Sequence, residues 1–172
     1  MSRNAVVIAS FVLFAAAPVA FSDVPAECMP LKGAAEKILL TPHHLYGTTT
    51  QPSGQTRTSE ALNAGGVEYL LIGGKWTKAP STLADRQAFE QQSWAKATNV
   101  TCRFLKNDVV NGEAVVVYSQ VNKTEAGTSE AQVWISKASG LILRQETAIG
   151  MEGGRNLHIS TRYEFANVQP PK

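Results

Sequence analysis

The spacing of apolar residues changes several times along the chain, and each change marks an element. Residues 5–21 form an almost unbroken apolar run behind Arg3. Further on, Leu31, Ala34, Ala35, Ile38 and Leu39 fall at i, i+3, i+4, i+7 and i+8, one stripe at helical period. Pro30 suits a first turn and Pro42 stops the run, so the pattern predicts a helix over Met29–Leu40. The period then shortens to two. Residues 44–50 and 56–63 are strand-prone and flank the turn Gln51-Pro52-Ser53-Gly54. Gly65-Gly66 leads into 67–72, and Gly73-Gly74 breaks the chain before 75–78. This stretch predicts a meander of short antiparallel strands.

Helical spacing returns over residues 83–98, with Thr82 and Asp85 placed to cap the start. Its apolar face is diffuse. Leu83 and Trp94 lie near one another with Ala84, Ala88 and Ala95 beside them, while Phe89 points elsewhere. Such a helix suits a lid better than a tightly packed core element. Asn111-Gly112 between 104–110 and 113–121 is a strong hairpin signal. Residues 132–136 and 141–149 pair across Lys137-Ala138-Ser139-Gly140. In the last strand Leu157, Ile159, Thr161, Tyr163 and Phe165 alternate with Asn156, His158, Ser160, Arg162 and Glu164. The fold class is therefore α+β, an antiparallel sheet of about eight or nine strands that must curl or split, carrying two helices. A curved sheet under only two helices would leave an apolar hollow between them.

The leading run changes the picture. Arg3, the apolar stretch and the small residues of Ala20-Phe21-Ser22 have the layout of a cleavable export signal over residues 1–22. It is too short for a convincing membrane span, and no span is expected in the mature chain. A lipoprotein signal would need a small residue before its cysteine, but Glu27 precedes Cys28. Residues 23–172 then form one domain of 150 residues, enough for a single core. The chain has 16 basic and 14 acidic residues, and only Arg3 leaves with the signal. The charges are interspersed, with none of the clustering that a nucleic acid backbone requires, so no nucleic acid partner is expected.

Cys28 and Cys102 are the two cysteines. In an exported chain they predict a disulfide closing a loop of roughly 75 residues, worth roughly 4 kcal/mol. Other residues invite a chemical reading. His43 and His44 are adjacent on a strand and point to opposite faces, and His158 falls on the wet side of the last strand. No ligand set accompanies them, so no metal and no cofactor is expected. Ser93 and Lys96 have the S-x-x-K spacing of a serine nucleophile and its amine, without the S-D-N and K-T-G elements that travel with it. Gly73-Gly74-Lys75 lacks the earlier glycine of a phosphate loop, where Tyr69 stands. Asn99-Val100-Thr101 and Asn122-Lys123-Thr124 are glycosylation sequons. Trp134 sits beside Glu130 and Gln132 on the more polar side of its strand, where it could pack on a neighbour, cover the hollow or meet a partner.

The run Val133-Trp134-Ile135-Ser136-Lys137-Ala138-Ser139-Gly140-Leu141-Ile142-Leu143-Arg144-Gln145-Glu146 resembles an element of exported bacterial proteins related to the outer-membrane lipoprotein carrier, the LolA-like family. The ending Thr161-Arg162-Tyr163-Glu164-Phe165-Ala166-Asn167-Val168 is similar to that group's last strand. The resemblance implies a curved antiparallel sheet forming an incomplete barrel, capped by helices. It further implies a non-enzymatic periplasmic protein that binds a lipid or an acylated protein. Leu31, Ile38, Leu71, Trp76, Phe89 and Trp94 are then the candidate lining residues, being placed on helix undersides or the meander. Two other readings stay open. The same fold with a filled interior would serve as an envelope interaction module, and a hydrolase would use Ser93 and Lys96.

Overall fold

The computed structural model describes residues 24–95, 99–124, 127–151 and 155–171. The export signal expected over 1–22 and the lysine of the S-x-x-K match, Lys96, lie outside the described residues. A short 3₁₀ turn, Ala26–Cys28, leads into α1 (Met29–Leu40), with Pro30 in its first turn. Four strands follow, β1 (His43–Thr50), β2 (Thr56–Ala64), β3 (Val67–Ile72) and β4 (Lys75–Lys78). Next come α2 (Leu83–Ala95) and five longer strands. These are β5 (Val100–Val110), β6 (Glu113–Thr124), β7 (Gly127–Ser136), β8 (Ile142–Met151) and β9 (Arg155–Glu164).

All nine strands join one curved, open antiparallel sheet in the order β4-β3-β2-β1-β9-β8-β7-β6-β5. Neighbours in space are neighbours in sequence except at β1–β9, where Leu45 faces Tyr163 and Thr48 faces Ser160. That one long-range pairing welds the early meander to the later strands. The β5–β6 hairpin turns at Asn111 and Gly112, whose φ values of 52° and 84° are the left-handed pair a tight two-residue turn requires.

Directly paired residues share a face, so the register sorts every strand. Cys102, Gln120, Ala131, Thr147, Ile159 and Thr49 form one row on the face that carries the helices. The core on this side joins Cys28, Leu31, Ala34 and Ile38 of the first helical segment to Trp94 of α2 and to Val100, Val133, Ile135 and Ile142 of the sheet. The other face holds a smaller cluster of Val115, Val117, Trp134 and Leu143, backed by Leu105 and Val110. Val115 and Val117 are fully buried. The β6 strand is thus apolar on both sides, as the run 114–118 implies.

Candidate functional site

α1 is fastened at both ends and in the middle. At its start, Cys28 is disulfide-bonded to Cys102 of β5, with Cα atoms 5.0 Å apart. At its end, the buried Asn63 of β2 donates from Nδ2 to the Leu39 carbonyl at 3.0 Å, satisfying an orphan carbonyl of the last turn. Between them, Lys37 Nζ donates to the Ser139 carbonyl in the β7–β8 turn. The helix therefore runs across the sheet from the edge strand β5 to β2, on the far side of β1.

α2 is attached more lightly. Its start is a reciprocal cap in which Asp85 N donates to Thr82 Oγ1 at 3.1 Å and Thr82 N donates to Asp85 Oδ2 at 2.8 Å. Donation to Oδ2 from the Thr82 backbone N–H, and from its hydroxyl at 2.7 Å, holds the exposed Asp85 carboxyl below the usual carboxylate range. Arg86 bonds Glu68 and the Gly66 carbonyl, both at 3.2 Å, tying the first turns to the β2–β3 end of the sheet. Trp94 is the buried side chain of the helix. Its indole Nε1 donates to Glu90 Oε1 at 2.7 Å, one turn back. A helix with one buried anchor and a polar surface is a cover.

Between these helices and the sheet lies a cavity of about 380 Å³. Leu31 and Ile38 enter it from α1, Trp94 from α2, and Val133, Ile142 and Tyr163 from the sheet. Polar atoms gather in the same space on Glu90, Ser93, Gln120, Asn122 and Gln145. Asn122 Oδ1 is buried and lacks a hydrogen-bond partner. Burial, with the Glu90 carboxylate as a second cause, pushes the Tyr163 phenol up to about 12, so it stays a donor at neutral pH. Leu39 and Glu90 also line a smaller groove of about 270 Å³ with Glu36, Leu40, Gln87 and Gln91, on the seam between the helices. The 380 Å³ of the cavity falls within the range of small-molecule sites, roughly 300–1,000 Å³.

The six candidate lining residues divide. Leu31, Ile38 and Trp94 meet in the cavity. Phe89 is 70% exposed on the outer side of α2. Leu71 pairs with Trp76 on the sheet face away from the helices, where Trp76 stands edge-on to His44 with ring centroids 5.6 Å apart. Sequence reasoning passed over Tyr163, Val133 and Ile142. Tyr163 and Val133 carried the alternation signal, but only the strand order sets them beneath α1 and α2. The polar lining has no local signal at all.

The residues with chemical promise are otherwise engaged. Ser93 Oγ donates to the Phe89 carbonyl at 2.8 Å, an ordinary bond back along a helix. His43 and His44 do point to opposite faces. The His43 ring lies edge-on to Tyr163 on the helix face, and His44 stacks on Tyr46 on the other. Among the described residues no group of three or more His, Cys, Asp or Glu side chains is gathered for a metal ion. No described helix is long and apolar enough to cross a membrane. Trp134 packs on its neighbours, with the Arg144 guanidinium 4.9 Å from its ring centre and its Nε1 donating to Asp108 at 3.3 Å. A second hollow, about 440 Å³ on that outer face, presents Arg103, Glu130, Glu146 and His158. Charges of both signs make it a poor receptacle for an apolar group.

Neither a protein-family model nor a curated protein sequence matches the chain. Solved structures do. The lipoprotein LppX of Mycobacterium tuberculosis is 12% identical, with 84% of this chain and 98% of that one covered, at a TM-score of 0.45. LprF from Mycobacterium bovis is 13% identical over 83% of this chain and 94% of that one, at a TM-score of 0.42. The LolA superfamily protein NE2245 from Nitrosomonas europaea is 8% identical over 81% and 93%, at a TM-score of 0.30. The likeness is one of architecture, and the cavity described above is this chain's own.

Proposed function

We propose that this protein is an exported, non-enzymatic binder that holds an apolar group, an acyl chain of a lipid or of an acylated partner, between its sheet and its helices. On this reading residues 1–22 are removed on export and residues 23–172 act as a single domain in the periplasm. The observation that carries the reading is the cavity under α1 and α2, walled by Leu31, Ile38, Trp94, Val133 and Ile142. A space of about 380 Å³ bounded by these apolar side chains, and reachable from solvent, is room for such a group. The light attachment of α2 supports it too, because a cover must move for a chain to enter.

Native mass spectrometry of the mature protein from its own compartment, paired with lipid extraction, tests this directly. The expected result is an acyl-bearing species at near one-to-one. Ala35 borders the cavity from α1, so an A35W variant should fill it and lose the species while remaining folded. A clean apo mass together with no uptake of added acyl probes would sink the proposal.

A second reading has one observation in its favour. Leu40 is 62% exposed and lines the groove between α1 and α2, while Phe89 is 70% exposed on the outer side of α2. Exposed apolar side chains on the helices, one of them in a groove, are what an envelope protein partner would cover. Crosslinking in cells through these positions separates a protein partner from a lipid.

A further inference from the structure

The polar side of the cavity points to one kind of head group. We propose that the occupant is an apolar chain ending in a neutral or cationic hydrogen-bond donor, and that Glu90 excludes chains ending in a carboxylate or phosphate; this rests on the cavity being a ligand site.

Charge and unmet bonding both argue for it. Glu90 is the ionisable acid in the lining, and no arginine or lysine joins it among the described residues. The cations of α1 and α2 have partners elsewhere. Arg86 is held by Glu68 and the Gly66 carbonyl, Lys37 by the Ser139 carbonyl, and Lys32 by Glu36 at 3.2 Å. An anion placed beside Glu90 would meet a like charge in a space partly walled from water, with no cation among the described lining residues to offset it.

The unmatched groups ask for donors. Asn122 Oδ1 is a buried acceptor with no partner, and an occupant's N–H or O–H would satisfy it. Glu90 spends Oε1 on the Trp94 indole, leaving its other oxygen to accept. Gln145 already donates to Thr147 Oγ1 at 3.1 Å, which leaves its carbonyl oxygen as a further acceptor. The donors beside these acceptors, the Tyr163 phenol among them, are uncharged. An alcohol, amide or amine head can donate to Asn122 Oδ1 and Glu90, and a carboxylate, which only accepts, cannot.

The test uses three probes with one chain and different heads: dodecanol, dodecylamine and dodecanoate, each titrated below its micelle concentration by calorimetry against the mature protein. The alcohol and amine should bind, and dodecanoate should bind at least tenfold more weakly. An E90Q variant, which keeps an acceptor for Trp94, should narrow that gap to about threefold or less. A K96Q variant should leave the order of the three probes unchanged. Dodecanoate binding as tightly as dodecanol, a gap that survives E90Q, or an order reversed by K96Q would each overturn the head-group proposal and leave the cavity reading standing. Failure of all three probes to bind a protein shown to be folded would overturn both.

Discussion

Leu31 and Phe89 are both apolar residues on amphipathic helices, yet one is 3% exposed and the other 70%. Their substitutions should differ accordingly. L31A should cost about 2–4 kcal/mol in chemical denaturation, the usual range for a buried leucine, and F89S should stay within about 0.5 kcal/mol. If F89S proves as costly as L31A, α2 packs differently from the description above. His43 gives a pH dependence at the same scale. Burial lowers its pKa from 6.5, outweighing the hydrogen bond to the Thr41 carbonyl that acts to raise it. The unfolded chain therefore takes up a proton that the folded one resists, and stability should fall as pH drops from 6.5 through the lowered value. Denaturation midpoints across that range should decline in the wild type and flatten in H43Q. The opposite facing of His43 and His44 was legible because strand alternation is local. That Trp76 shares a face with His44 was not, because it depends on the registers of β1 through β4.

The elements follow the sequence where periodicity is strong and depart from it where pairing extends a polar strand. The spans of α1, β3 and β4 are those the spacing and the glycine pairs imply. β5 starts at Val100 instead of 104, and β7 at Gly127 instead of 132. Residues 127–130 read Gly-Thr-Ser-Glu, which composition alone assigns to a loop. They are strand because β6 and β8 flank them and supply hydrogen bonds on both sides. The early start of β5 also puts Cys102 on a strand, where its partner Cys28 is fully buried. The bridge spans a sequence separation of 74. Removing it in a C28S/C102S variant should cost about 4 kcal/mol by the loop-entropy account. Guanidinium unfolding of oxidised protein against that variant measures the difference, and a loss under about 1 kcal/mol would mean that the hydrogen bonds of Asn63 and Lys37 hold α1 without it.

At the scale of the whole molecule, the decisive contact is β1 with β9, which brings residues 44–50 against 158–164. No turn chemistry or local period encodes it, and the chain must close a loop of more than a hundred residues to form it. The cavity exists only at this scale, because Ile38 and Trp94 come from different helices and Val133 and Tyr163 from strands brought side by side through β8. The sequence by itself determined the export-type leader as an expectation, the α+β class, most elements and the partner of each cysteine. Those follow from periods of two and 3.6, from glycine and proline punctuation, and from there being two cysteines, all of which act over a few residues or leave one choice. Tertiary structure alone decided which face of each strand the helices cover, that Leu71 and Trp76 lie outside, and that Glu90, Gln120 and Asn122 meet Leu31 and Trp94. Facing is a matter of register and strand order, and a one-residue shift would turn every side chain of a strand to the other side.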